Sequence, residues 1–129
     1  MASEEKKIVP KLQFSVLCDA IAPPNNNNKP VFIGIFSSLL KPIVVPQFFI
    51  ANRWIGGQGE FTEKVKILTP QLKLLLETNA DKVSLPTKVD SADVYHGFIN
   101  VNFPTHGVYW IVIELDGEKV LSYPLPVFE

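Results

Sequence analysis

The chain has 129 residues, 47% of them hydrophobic and 19% charged, with a formal net charge of −1 and a pI near 6.1. That length suits one domain able to bury a core without covalent staples. The charge balance removes the basic footprint of a nucleic-acid binder. The single cysteine, Cys18, excludes an intramolecular disulfide and a Cys-rich zinc site, and no apolar run reaches the roughly 18 to 20 residues of a membrane helix.

The opening "MASEEKKIVP" has charges but no apolar stretch behind them, so it does not read as a secretory signal and points to a cytoplasmic protein. Residues 1–10 are expected to be flexible and 11–129 to form a single domain. Eleven prolines and seven glycines break the rest into short β-branched and aromatic runs. Their spacing of about 8 to 12 residues is the rhythm of an all-β sandwich or barrel.

In "KLQFSVLCDA", Leu12, Phe14, Val16 and Cys18 alternate with Lys11, Gln13, Ser15 and Leu17, a strand with one buried face. Cys18 there reads as a small buried hydrophobe. "APPNNNNKP" (22–30) supplies no packed surface and reads as a surface loop. "VFIGIFSSLL" is apolar at nearly every position, as in a strand covered on both sides, and Gly34 suggests a bulge.

"QFFIANRWI" leads into "GGQG", whose Gly56-Gly57-Gln58 has the letters of the release-factor catalytic tip. Strand-like runs adjoin it on both sides, so it reads as a hairpin joint. In "EFTEKVKIL", Phe61, Val65 and Ile67 oppose Thr62, Lys64 and Lys66, the cleanest alternation in the chain. "TPQLKLLLETNADK" has a helix start at Thr69-Pro70, but Leu72, Leu74 and Leu76 alternate, which favours a strand. Asp116-Gly117 predicts a hairpin between the last two strands. Pro124 and Pro126 remove two backbone donors along one side of the final strand, which belongs at a sheet edge.

Gly107-x-Tyr109 at the start of a strand, with Ile111 two residues on, resembles the tyrosine corner of immunoglobulin-type sandwiches. The succession "VLCDA", "VFIGIF", "FFIANRW" and "FPTHGVYWIVIELDGEKVLSYPLPV" resembles a family of small uncharacterised bacterial proteins with an immunoglobulin-like fold. The resemblance implies an all-β, immunoglobulin-like antiparallel β-sandwich of seven to nine strands. Trp54 would be its buried tryptophan. It implies no catalytic residues.

Chemistry is sparse. His96 and His106 have no nearby ligand partners of zinc spacing, and no Gly-x-Ser-x-Gly elbow accompanies them, so a hydrolase built on either is the weakest reading. Asp81, Asp90 and Asp93 match no calcium loop, and Lys82 and Lys88 offset them. No catalytic residue, cofactor or metal is expected. The apolar excess carries more content: if Tyr109, Ile111, Ile113 and Leu115 fill the core, then Val108, Trp110 and Val112 point outward. If Ile50 and Trp54 point in, Phe49 and Arg53 point out.

A Trp, a Phe and an Arg on one outer face have the composition of an interface. The expectation is therefore a non-catalytic binding or assembly module whose partner is another protein or itself, most simply as a two-fold homo-oligomer. The alternatives are a face covered within the monomer by the Asn-rich segment, or a small-ligand or carbohydrate-binding sandwich stacking on Trp54, Trp110 and Tyr95.

Overall fold

The computed structural model describes residues 7–23 and 29–129. Nine strands follow in order: β1 Lys11–Ala22, β2 Val31–Phe36, β3 Ile43–Ile55, β4 Gly59–Leu68, β5 Leu74–Glu77, β6 Asp81–Leu85, β7 Ser91–Phe103, β8 Gly107–Leu115 and β9 Glu118–Val127. They form a four-stranded sheet, β2-β1-β3-β7, and a five-stranded sheet, β5-β4-β8-β9, with β6 also on β4. All strand pairings within the sheets are antiparallel. The fold is an all-β sandwich.

The two sheets enclose an apolar core because alternate residues of the central strands point inward. Phe48, Ile50, Trp54, Phe98 and Phe103 come from the first sheet, and Phe61, Val65, Ile67, Tyr109, Ile111, Ile113 and Leu125 from the second. Phe48 stacks on Phe98 at 4.8 Å, and Phe103 meets Tyr109 edge-on at 5.1 Å. Such offset and edge-to-face pairs suit the ring quadrupoles.

The tyrosine corner is present as geometry. The Tyr109 hydroxyl donates to the Thr105 carbonyl at 3.0 Å and so fastens the crossover from β7 in one sheet to β8 in the other. Asp116 and Gly117 have φ of 50° and 82°, the pair of positive values that a tight two-residue hairpin needs, and they join β8 to β9. β9 is an edge strand, as its prolines require. Its outer side is closed in part by Leu39, which donates to the Pro126 carbonyl and accepts from the Phe128 amide.

Residues 74–77 form a strand and 70–72 a turn, so the alternating leucines win over the helix-start signal. β2 departs from expectation: Val31, Ile33 and Ile35 are exposed, so it is covered on one side only.

The "GGQG" stretch also corrects the sequence reading. β3 and β4 lie in different sheets, so residues 56–58 form a crossover between layers and not a hairpin within one. Gln58 exchanges both backbone bonds with Ile8, each 2.9 Å. A Cβ on Gly57 would sit 2.6 Å from the Ile8 carbonyl oxygen. The glycine is there so that residues 8–10 can lie against the crossover. Of the segment expected to be loose, Ile8 is thus tied down and Pro10 is buried, while residues 1–6 lie outside those described. Of the Asn-rich loop expected at 22–30, Ala22 ends β1 and residues 24–28 also lie outside those described.

Candidate functional site

The structure divides the five candidate interface residues between two faces. Phe49 and Arg53 project from β3 on the outside of the first sheet, while Val108, Trp110 and Val112 project from β8 on the outside of the second. Alternation along a strand fixes which residues share a face, but not which sheet the strand joins. The expected single patch is therefore two, on opposite sides of the sandwich.

On the first face, Arg53 is engaged. Its Nε and an Nη donate to the two Asp93 carboxylate oxygens at 2.6 and 2.8 Å, a fork geometry, and its guanidinium lies 5.0 Å from the centre of the Phe14 ring. The Tyr95 hydroxyl donates to the same carboxylate at 2.8 Å. The Arg53 hydrogen bonds, and then that from Tyr95, hold the Asp93 carboxyl below its usual range against the cost of burial.

This face is covered in part, with Tyr95 and Ile99 of β7 left exposed. In a flat sheet, strands about 4.8 Å apart would set β2 some 14 Å from β7. Yet the Phe32 ring of β2 lies 5.9 Å from the Tyr95 ring of β7, and 5.8 Å from Phe14. The β1/β2 ribbon therefore coils over the outside of its own sheet. Beneath it Cys18 and Ala51 are fully buried. Burial, and then the neighbouring Asp19, push the Cys18 thiol up.

On the second face Val108 is 39% exposed while Val112 is buried. Cross-strand register sets Trp110 between Leu68 and Pro124, with Val108 beside Pro126 and Val112 between Lys66 and Ser122. Trp110 is half-buried, and Leu72, 65% exposed, lies beside it on the turn after β4. Leu68, Leu72, Trp110, Val112 and Ser122 bound a hollow of about 370 Å³. A Lys66–Glu114 ion pair at 3.0 Å and Lys119 form its polar rim.

Inside the sandwich lies a polar cluster that no spacing motif announced. Glu63 of β4 is fully buried; its Oε1 accepts from the Asn52 amide at 2.8 Å and its Oε2 from the Trp54 indole at 2.7 Å. His96 Nε2 sits 2.5 Å from Oε1, and its Nδ1 sits 3.2 Å from the half-exposed Asp81 carboxylate. His96 therefore lies between two carboxylates, one buried and one half-exposed. His96 and Asp81 adjoin a cleft of about 540 Å³ between the end of β5 and β7. One sequence signal marked this cluster: Asn52, Glu63 and His96 each occupy an inward position between apolar neighbours.

Other candidates fall apart. His106 is exposed in the corner before β8. Asp81 faces His96, Asp90 accepts from the Thr87 amide and hydroxyl, and Asp93 holds Arg53, so the three acids do not converge. Among the described residues no group of three or more His, Cys, Asp or Glu side chains is placed to hold a metal ion. Among the described residues no helix is long and apolar enough to cross a membrane. Trp54 is wholly buried with its N–H spent on Glu63, so it offers no stacking surface. A family model described as a family of unknown function, DUF6941, matches residues 13–128. No curated protein matches the chain.

Proposed function

We propose that this chain, which belongs to the family of unknown function DUF6941, is a non-catalytic assembly module of immunoglobulin-like type that binds a second copy of itself through the outer face of its second sheet. The observation that carries the reading is the Trp110 face. A half-buried tryptophan stands among Leu68, Leu72, Val108, Pro124 and Pro126, with charges confined to the rim. An apolar centre with an aromatic anchor and a polar rim is the anatomy of a protein interface.

Self-association is favoured because the rim carries both signs. Under a two-fold axis Lys66, Glu114 and Lys119 meet a mixed edge and not like charges alone. The immunoglobulin-like assignment rests on the strand order β1-β3-β7 facing β4-β8-β9 and on the Tyr109 corner. A cytoplasmic setting fits the lone, buried Cys18 thiol.

Acrylamide quenching tests this reading, since Trp54 is inaccessible and the signal reports Trp110. Protection that grows with protein concentration is expected; equal quenching at every concentration counts against it. The hollow beside Trp110 also favours a second reading, a small-ligand site that stacks on this one exposed indole. Such a ligand would shift Trp110 emission without changing the mass in solution.

A further inference from the structure

The geometry points to a detachable strap: the end of β1 and all of β2, residues 19–22 and 31–36, lift off the first sheet as a unit and uncover the aromatic and arginine face beneath. β2 pairs with β1 alone, and among the described residues nothing pairs with its other side. Its back is wet, with Val31, Ile33 and Ile35 at 47%, 51% and 61% exposure. β2 is held across the sheet by rings: Phe32 edge-on to Phe14 and Tyr95, and Phe36 edge-on to Phe48.

The seat that receives Phe32 is built without it. Arg53 covers Phe14, Asp93 clamps Arg53, and Tyr95 bonds Asp93. Departure of Phe32 breaks ring contacts and leaves those polar bonds intact, so the seat persists in the open state. The bend also has a pivot. Gly34 has φ +69°, and a Cβ there would lie 2.2 Å from a carboxylate oxygen of Asp19. That positive φ favours glycine where the ribbon passes close to Asp19.

β1 itself splits at the base of the strap. Cys18 pairs with Ile35 of β2 on one side and Phe49 of β3 on the other, and it is fully buried. When β2 lifts, this thiol is uncovered while β3, β7 and the second sheet stay paired. Segments with few buried contacts open below the free energy of global unfolding. The open strap fully exposes Phe14, Phe49, Arg53 and Tyr95, which the closed state covers only in part, with Tyr95 at 39% exposure.

The only thiol in the chain reads this opening directly. Native-state labelling of Cys18 with a disulfide reagent is expected to proceed faster than global unfolding permits and to depend weakly on low urea. Phe32→Ala removes two edge-to-face ring contacts and should speed labelling roughly tenfold or more. Leu125→Ala, in the core of the second sheet, should lower the urea midpoint and leave labelling at low urea unchanged. Amide exchange of the unsubstituted protein gives a second readout, with β2 amides exchanging ahead of those in β3 and β8. Labelling that follows the global unfolding curve, or β2 amides protected as strongly as those of β3, overturns the strap.

Discussion

Glu63 and His96 reach across the interior from opposite sheets and meet at 2.5 Å, the first fully buried and the second 5% exposed. A carboxyl group in that position is tolerated because three polar partners converge on it: two donors, the Asn52 amide and the Trp54 indole, and the His96 imidazole. The cluster ties β3, β4 and β7 together and meets the half-exposed Asp81 of β6 at the cleft beside His96.

Removing the carboxylate strands its partners. Glu63→Ala leaves three buried polar groups without their shared partner and should cost about 3–5 kcal/mol, the scale of breaking a buried pair from one side. Trp54→Phe deletes a single donor and should cost less, about 1–3 kcal/mol. Urea unfolding followed by circular dichroism measures both. A Glu63→Ala protein as stable as the unsubstituted one would mean that the cluster is not holding the sheets together.

Tyr95 and Tyr123 should titrate late. Burial first, and then the bond to Asp93, push the Tyr95 phenol up to about 12; burial pushes Tyr123 up to about 12 against a small opposing effect of Ser15. The folded state thus favours the neutral phenols, whose unfolded value is about 10. Their contribution to stability is whole below about pH 10 and is lost as pH rises through about 12. Phenolate absorbance on alkaline titration should show both transitions near the upper value, with stability falling across the same window.

The Arg53–Asp93 pair gives the opposite dependence. The Asp93 carboxyl is depressed by Arg53, so its contribution is present above its ordinary range of about 4 and disappears as pH falls through the lowered value. Asp93→Asn should remove that part of the acid dependence in a pH series of unfolding curves. It should also speed Cys18 labelling, since the seat of the strap loses its clamp.

Gly57→Ala should destabilise the crossover between the sheets. The new Cβ meets backbone atoms of Ile8 and Pro10 at 2.6 Å, which cannot swing aside as a side chain tip does. A loss of about 1–3 kcal/mol is expected, the usual cost of overpacking, and thermal unfolding measures it. An unchanged midpoint would show that residues 8–10 are free to leave.

How much of this was legible in the residues depends on what each pattern encodes. Period-two alternation specified strands and their two faces, hence the inward Phe61, Val65 and Ile67 and the outward Trp110. Asp116-Gly117 and Pro124/Pro126 encode local backbone demands, and the hairpin and the edge both follow from them. Sheet membership is a long-range property with no local signal, which is why Arg53 and Trp110 were grouped on one face and lie on two. The same limit turned the crossover at Gly57 into an apparent hairpin. The Glu63 cluster was legible in part: a Glu between Phe61 and Val65, an Asn between Ile50 and Trp54 and a His before Phe98 all break an inward apolar row, and a buried polar residue demands partners.

Tyr109→Phe tests the corner between the sheets. It removes the hydroxyl that donates to Thr105 and leaves the ring in place against Phe103. A loss of about 1 kcal/mol is expected for one hydrogen bond at a partly buried site, read as a lower midpoint in urea with an unchanged slope.

The central claim, self-association through the Trp110 face, is tested most directly by sedimentation equilibrium of the unsubstituted chain and of Trp110→Ser, each checked for its fold by circular dichroism. Val108→Lys, at the exposed margin of the same face, serves as a second variant should the serine protein fail to fold. The account predicts a concentration-dependent dimer for the unsubstituted chain and a monomer for the variants. A monomer throughout, or a dimer that both substitutions leave intact, would contradict it.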